Sequence, residues 1–247
     1  MADKIRVTVW NEFRHERNVE EVKAIYPNGI HGAIAEFLSK DPTLEVRTVC
    51  LDDPEQGLPD EVLNNTDVLM WWGHKHHDEV KDELAKKIQT RVEKYGMGFI
   101  PMHSAHYSKP FVRLMGTACE LTFGPARPEI IWNLMPSHPI AAGLPNHFLL
   151  NTEELFSEPF HIPTPDEWIF GGWFKNGYIF RSGCAWYRGL GRIFYFQPGH
   201  EYCRSFYNEY VQQILTNAVH WAAPTKVNIA LPFEGFAGKP LTEYYGI

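Results

Sequence analysis

Cysteine is scarce in this chain and shows no pattern. Cys50, Cys119, Cys184 and Cys203 form no CxxC pair and have no regular spacing, which argues against zinc fingers and a disulfide framework. Long apolar runs are missing as well, and none approaches the roughly 20 residues that a membrane span requires. The opening MADKIRVTVW passes straight into a β-type run without the apolar core of a signal peptide. A reducing cytoplasm is therefore the expected compartment. Positive charge is the next shortage. Twenty-three Lys and Arg stand against 30 Asp and Glu, a net charge of −7, with no basic stripe, so neither nucleic acid nor an anionic membrane is expected as a main partner. The short catalytic signatures HExxH and GxSxG are absent too, so any metal or nucleophile site must be assembled from distant loops.

The 247 residues, 44% hydrophobic and 21% charged, suit one α/β domain, or one domain with a sizeable insertion. Through residue 116, β-type runs alternate with helical spacing. IRVTVW (5–10), LEVRTVC (44–50), DVLMWW (67–72) and GFIPM (98–102) read as strands. GIHGAIAEFLSK (29–40), EVKDELAKKIQTRVEKYG (79–96) and KPFVRLMG (109–116) read as helices. That alternation predicts βαβ units and a parallel sheet. Residues 117–190 break into short β-type runs separated by Gly, Pro and Asn, a β-rich insertion with antiparallel character. RIFYFQPG (192–199) returns to a core strand, and residues 205–223 predict a final amphipathic helix. One domain is expected over 1–223, with 224–247 as an extended C-terminal arm packed on its own chain or on a neighbouring subunit.

Histidine is what the chain has in quantity, twelve in all. Three of the four early strands run into a histidine-bearing turn, at His15, His74 and His103, and the late strand leads to His200 and Glu201. In an open α/β sheet, ligands bind beyond the carboxyl ends of the strands, so imidazoles gathered there point to a metal or an acid/base site. GFIPMHSAHYSKP has the layout of a nucleophile elbow, with His103 or Ser104 at its apex. His31 belongs in the first turn of its helix, and Glu153 and Glu154 are expected on an insertion loop. Other histidines read more simply: His138 before Pro139 as a turn cap, His220 as packing, His76 and His77 as solvated.

NEFRHE, WWGH, PMHSAH, HPI (138–140), NTEELF and GRIFYFQPGHE, in that order, resemble the ThuA-like, trehalose-utilisation family over about residues 4–223. The resemblance implies an α/β, flavodoxin-like three-layer sandwich with a mainly parallel sheet, of the class I glutamine amidotransferase-like type, with an antiparallel β extension. It also marks what is missing. His103 stands where amidotransferases keep a cysteine, and Gln197-Pro198 where a His-Pro is expected, so glutamine hydrolysis through a thioester is not expected. The family implies carbohydrate utilisation and a divalent metal, zinc, in the histidine-lined crevice. Matching motif by motif carries over His15, His103, Glu154 and His200, while His31 and His106 suggest a subgroup with a richer histidine cluster.

The leading expectation is a metal-dependent enzyme acting on a sugar or keto-sugar, by isomerisation, epimerisation, elimination or hydrolysis. His31, His106 and His200 are the expected ligands, with His103, Glu154 and His15 as the catalytic set. The alternative is a non-catalytic protein that binds a sugar or a partner sugar dehydrogenase. A serine hydrolase using Ser104 with His106 or His200 is a third reading. The aromatic content and the tail also suggest a homo-oligomer.

Overall fold

A computed structural model describes residues 4–225 and 241–247. The strands are β1 (Ile5–Asn11), β2 (Leu44–Cys50), β3 (Val68–Trp72), β4 (Gly98–Met102), β5 (Thr122–Asn133), β6 (His147–Ser157), β7 (Glu167–Phe174), β8 (Ile179–Arg188) and β9 (Gly191–Phe196). The helices are α1 (His15–Asn18), α2 (Glu20–Ile25), α3 (Gly29–Leu38), α4 (Asp60–Asn64), α5 (Asp82–Tyr95), α6 (Lys109–Met115), α7 (Glu209–Ala222) and α8 (Leu241–Tyr245). Residues 226–240, most of the expected C-terminal arm, lie outside the described residues.

Among the described residues one nine-stranded sheet runs in the order β2-β1-β3-β4-β9-β8-β7-β5-β6. The pairs β1–β2, β1–β3, β3–β4 and β4–β9 are parallel. The pairs β5–β6, β5–β7, β7–β8 and β8–β9 are antiparallel. The expectation of a mainly parallel sheet is thus corrected: the sheet is mixed, and antiparallel throughout its second half. The cause is connection length. Helices lie between the early parallel strands, whereas β7 to β8 and β8 to β9 are joined by turns too short for a crossover.

The parallel half is covered on both faces, and its strands are correspondingly apolar. All five residues of β3 and all five of β4 are buried. Successive side chains point to opposite faces. Val68, Met70 and Trp72 of β3 therefore share a core with α3 and α7. Leu69 and Trp71 pack on the other side with Leu84, Ile88 and Val92 of α5. There Trp71 stacks on Trp10, with ring centroids 3.7 Å apart. Glycine ends α5: Gly96 caps it in the left-handed region at φ 74°.

One local expectation also changes. Glu153 and Glu154 lie within strand β6 and not on a loop. The register of β5 against β6 shifts between Gly124 and Arg127 and again between Arg127 and Glu129, with Arg127 opposite Glu153. Irregularities of this kind bend a strand and re-aim its side chains. Here they fall opposite the segment that reaches the end of β9, although β6 is the sheet's far edge.

Candidate functional site

The carboxyl ends of β1, β3, β4 and β9 open into one polar crevice, and buried carboxylates shape it. Glu12, directly after β1, is 1% exposed. Its Oε2 accepts the backbone N–H groups of His74, Lys75 and His76 at 2.7, 3.0 and 3.0 Å, fixing the loop after β3. Glu153 does the same for the loop after β9. It accepts the backbone N–H groups of Gly199 and His200 at 3.0 and 3.1 Å and the hydroxyl of Ser205. Gly199 has a positive φ, and a Cβ there would meet the Phe206 ring at 2.6 Å, so this loop needs glycine.

His103 is the elbow apex, with φ 52° in the left-handed region, the strained geometry that presents a residue at the top of a sheet. Its Nδ1 donates to the carbonyl of Gln197 at 3.0 Å, and its own carbonyl accepts from the Tyr195 hydroxyl at 3.0 Å. The Nε2 atom faces Glu154 Oε2 at 3.1 Å. Burial works against the charged imidazole. The carboxylates of Glu154, Glu153 and Glu201 outweigh it and hold the His103 pKa above the ordinary value. Burial likewise opposes the charge on Glu154, but His103, His200 and His74 hold its carboxyl below the usual range. The two directions agree on an imidazolium–carboxylate pair.

Beside this pair lies a second grouping. His74 Nδ1 is 2.8 Å and His15 Nδ1 3.5 Å from Glu201 Oε1. His200 Nε2 stands 3.5 Å from Glu201 Oε2 and 3.8 Å from Glu154 Oε1. Burial pushes the Glu201 carboxyl up, yet His74 and His200 bring it down to about 2. Burial lowers His15 and, with His103, brings His200 to about 4. Proximity alone does not satisfy these atoms. His15 Nδ1, His74 Nδ1, His103 Nε2 and Glu201 Oε2 are buried without an aligned hydrogen bond. Two trios have ligand atoms within 4.8 Å of one another: His15, His74 and Glu201, and His74, Glu154 and His200.

The site candidates read from sequence separate here. His15, His103, Glu154 and His200 come together. His31 does not: its Nδ1 accepts from Asn11 Nδ2 at 2.8 Å, which leaves Nε2–H directed at Cys50 Sγ, 3.8 Å away. His106 also lies outside both trios. Its Nδ1 donates to the carbonyl of Cys119 at 2.8 Å, and burial brings its pKa down to about 3. Ser104 makes no hydrogen bond with His106 or His200 among the described residues. His74, Glu201 and Glu12 also belong to this site without being among the expected ligands or catalytic residues, although the strand-end signal of His15 and His103 applies to all three. His138 caps its turn as expected, accepting from Ile140 N–H at 3.1 Å. His77 departs from expectation, being half-buried, and burial brings its pKa down to about 4.

The crevice continues into a cavity of about 220 Å³ lined by His74, Lys75, Ser104, His106, Tyr107, Phe123, Glu154 and Phe156. Its aromatic walls, Tyr107, Phe123 and Phe156, stand beside the acid/base groups His74 and Glu154.

A mixed α/β sheet carrying a histidine–carboxylate cluster at the ends of its parallel strands defines the class of this protein. Its sequence matches the ThuA family, trehalose utilisation, over residues 6–222. The chain belongs to that family. No curated protein matches it. Among solved structures it is similar to a ThuA-like protein from Parabacteroides merdae, at 15% identity and TM-score 0.64, covering 91% of this chain and 93% of that one. A ThuA-like protein from Bacteroides uniformis gives 14% identity and TM-score 0.62 over 90% and 92%. A cytoplasmic protein from Salmonella typhimurium gives 11% and 0.62 over 89% and 99%. At these identities the likeness is one of fold. No helix among the described residues is long and apolar enough to cross a membrane.

Proposed function

We propose that this protein is a metal-dependent enzyme of carbohydrate utilisation, acting on a sugar or keto-sugar in the cavity beside Glu154. One observation carries the reading. Buried polar atoms of three residues, His15, His74 and Glu201, converge without an aligned hydrogen bond, an arrangement that costs free energy unless something else satisfies them. Two imidazoles and a carboxylate are a known donor set for a catalytic zinc ion with an open position. His15, His74 and Glu201 would hold the ion, and Glu12, by fixing the His74 loop, supports the set from behind.

This revises the expected ligands. Both ring nitrogens of His31 face other partners, Asn11 and Cys50, and His106 stands outside both trios. His200 Nδ1 accepts from Tyr202 N–H at 3.2 Å, which puts the proton of the neutral ring on Nε2, facing Glu154 and Glu201. His200 is then a hydrogen-bond donor in place of a ligand.

A bound divalent ion would supply polarisation of a carbonyl or hydroxyl oxygen. The chain's own residues supply the rest. Glu154, drawn below its usual pKa and open to the cavity, takes a proton from the substrate. His103, locked by Gln197 and paired to Glu154, orients that carboxylate and stabilises its charge. Glu154 gives that proton back to the substrate, and the Nε2–H of His200 donates a hydrogen bond beside it. Phe123, Phe156 and Tyr107 offer faces for a sugar ring. The compartment consistent with four free thiols and with a cytoplasmic structural relative is the cytoplasm. A homo-oligomer and a partner sugar dehydrogenase supplying a keto-sugar belong to the same proposal.

Elemental analysis of the purified protein, paired with turnover of keto-sugars before and after chelation, tests the reading. Stoichiometric zinc or another divalent ion, with activity lost on chelation and regained on metal return, is the expected result. Metal-free protein that still binds a disaccharide calorimetrically but turns nothing over would make it a non-catalytic sugar-binding protein instead.

A further inference from the structure

His106 lines the cavity but belongs to neither trio. A carbonyl oxygen can only accept, so the 2.8 Å contact with Cys119 places the ring proton on Nδ1 and leaves the lone pair on Nε2. The ring cannot easily turn. Phe156 and Phe160 meet it edge-on, with centroids at 5.5 and 5.8 Å, and Tyr107 lies 4.0 Å away. Among the described residues no hydrogen bond engages Nε2. The wall of the cavity therefore holds an imidazole of fixed tautomer and fixed orientation, with one acceptor lone pair uncommitted.

We propose that His106 is a specificity-determining residue, a fixed hydrogen-bond acceptor that selects sugars carrying a hydroxyl at the ring position facing it. This rests on the carbohydrate reading of the site. The aromatic walls of Tyr107, Phe123 and Phe156 contribute affinity but discriminate weakly, because apolar contact separates similar rings by little. A buried acceptor discriminates strongly, because a ring lacking the matching hydroxyl leaves the lone pair desolvated and unpaired. Ser104, on the same wall, can both donate and accept and so imposes no such demand.

The test uses α,α-trehalose and its singly deoxygenated analogues as probes, titrated calorimetrically into the full-length wild type, H106A and H106Q. Metal content is measured in the same samples. One deoxy analogue is expected to bind the wild type about 10-fold or more weakly than trehalose, and H106A to bind both within about two-fold. H106Q keeps a side-chain carbonyl acceptor and should recover part of the discrimination, with metal content unchanged in both variants. Wild-type discrimination persisting in H106A, or metal lost from either variant, would overturn the assignment. Failure of the wild type to bind any of these sugars would instead overturn the carbohydrate reading, and with it this one. The wild type alone reveals that outcome, so the two failures are distinguishable.

Discussion

The parallel strands β1, β3, β4 and β9 present their polar residues where each strand ends, while the antiparallel β6 presents Glu153 and Glu154 from within the strand. The first arrangement follows from topology, since parallel strands share one carboxyl edge and their loops must meet there. The second needs a distortion. The irregular register opposite Glu153 bends the hairpin so that Glu153 grips the β9 loop and Glu154 faces His103. The parallel half thus gathers His15, His74, His103 and Glu201. The antiparallel half brings Glu154, the carboxylate that lines the cavity. If the two halves divide the work in this way, metal binding and proton transfer should fail separately.

Glu154→Gln should lower kcat by about 10²- to 10⁴-fold, the usual worth of a positioned acid or base, while metal content stays at the wild-type level. Emptying of the metal site in this variant would erase the proposed division. His74→Ala and Glu201→Gln should do the converse and abolish stoichiometric metal, read by elemental analysis. Glu12→Gln probes the support behind the ligands. With the His74, Lys75 and His76 amides losing their carboxylate, metal affinity should weaken about 10- to 100-fold, measured by chelator competition. Glu153→Ala breaks the joint between the halves. It strips the acceptor from Gly199, His200 and Ser205 and should cost about 1–3 kcal/mol in denaturant unfolding.

Much of this was legible in the sequence, and unevenly. Strands β1 to β4, helix α3 and the Gly96 cap follow from apolar periodicity, because local burial and local pattern coincide there. Placing His103 at an elbow needed only the strand–turn–helix order. The ligand set was harder. His15, His31, His74 and His106 look alike as strand-end or first-turn histidines. What separates them is the atom each ring nitrogen meets, a carbonyl for His106, Asn11 for His31, and Glu201 for His15 and His74. Those partners come from distant segments that no spacing encodes. Glu154 was found by motif, but its placement within β6 was not, since register shifts are set by tertiary pairing. The same holds for the mixed sheet, whose antiparallel half is announced by short turns but not by strand order.

The mildest test concerns Glu129, a carboxyl of the antiparallel half that is fully buried on β5. Its partners are the Ser182 hydroxyl at 3.1 Å and, with the side-chain amide of Gln197 turned to donate, Gln197 Nε2 at 2.8 Å. Burial first, and the negative neighbour Glu153 second, hold its pKa well above the ordinary 4.5. The unfolded chain releases this proton near that ordinary value, while the folded chain keeps it. Between the two pKa values the folded state binds more protons, so stability falls as pH rises, by about 1.4 kcal/mol per pH unit from this one group. Glu129→Gln has the neutral shape without the titration. Its stability should match the wild type below about pH 4.5, the ordinary carboxyl value, and gain on it steadily above. Because Glu129 belongs to neither histidine–carboxylate trio, metal content should not change. Parallel stability curves across that range would mean the carboxyl is already ionised in the fold, and that the buried Ser182–Gln197 network holds a charge in place of a proton.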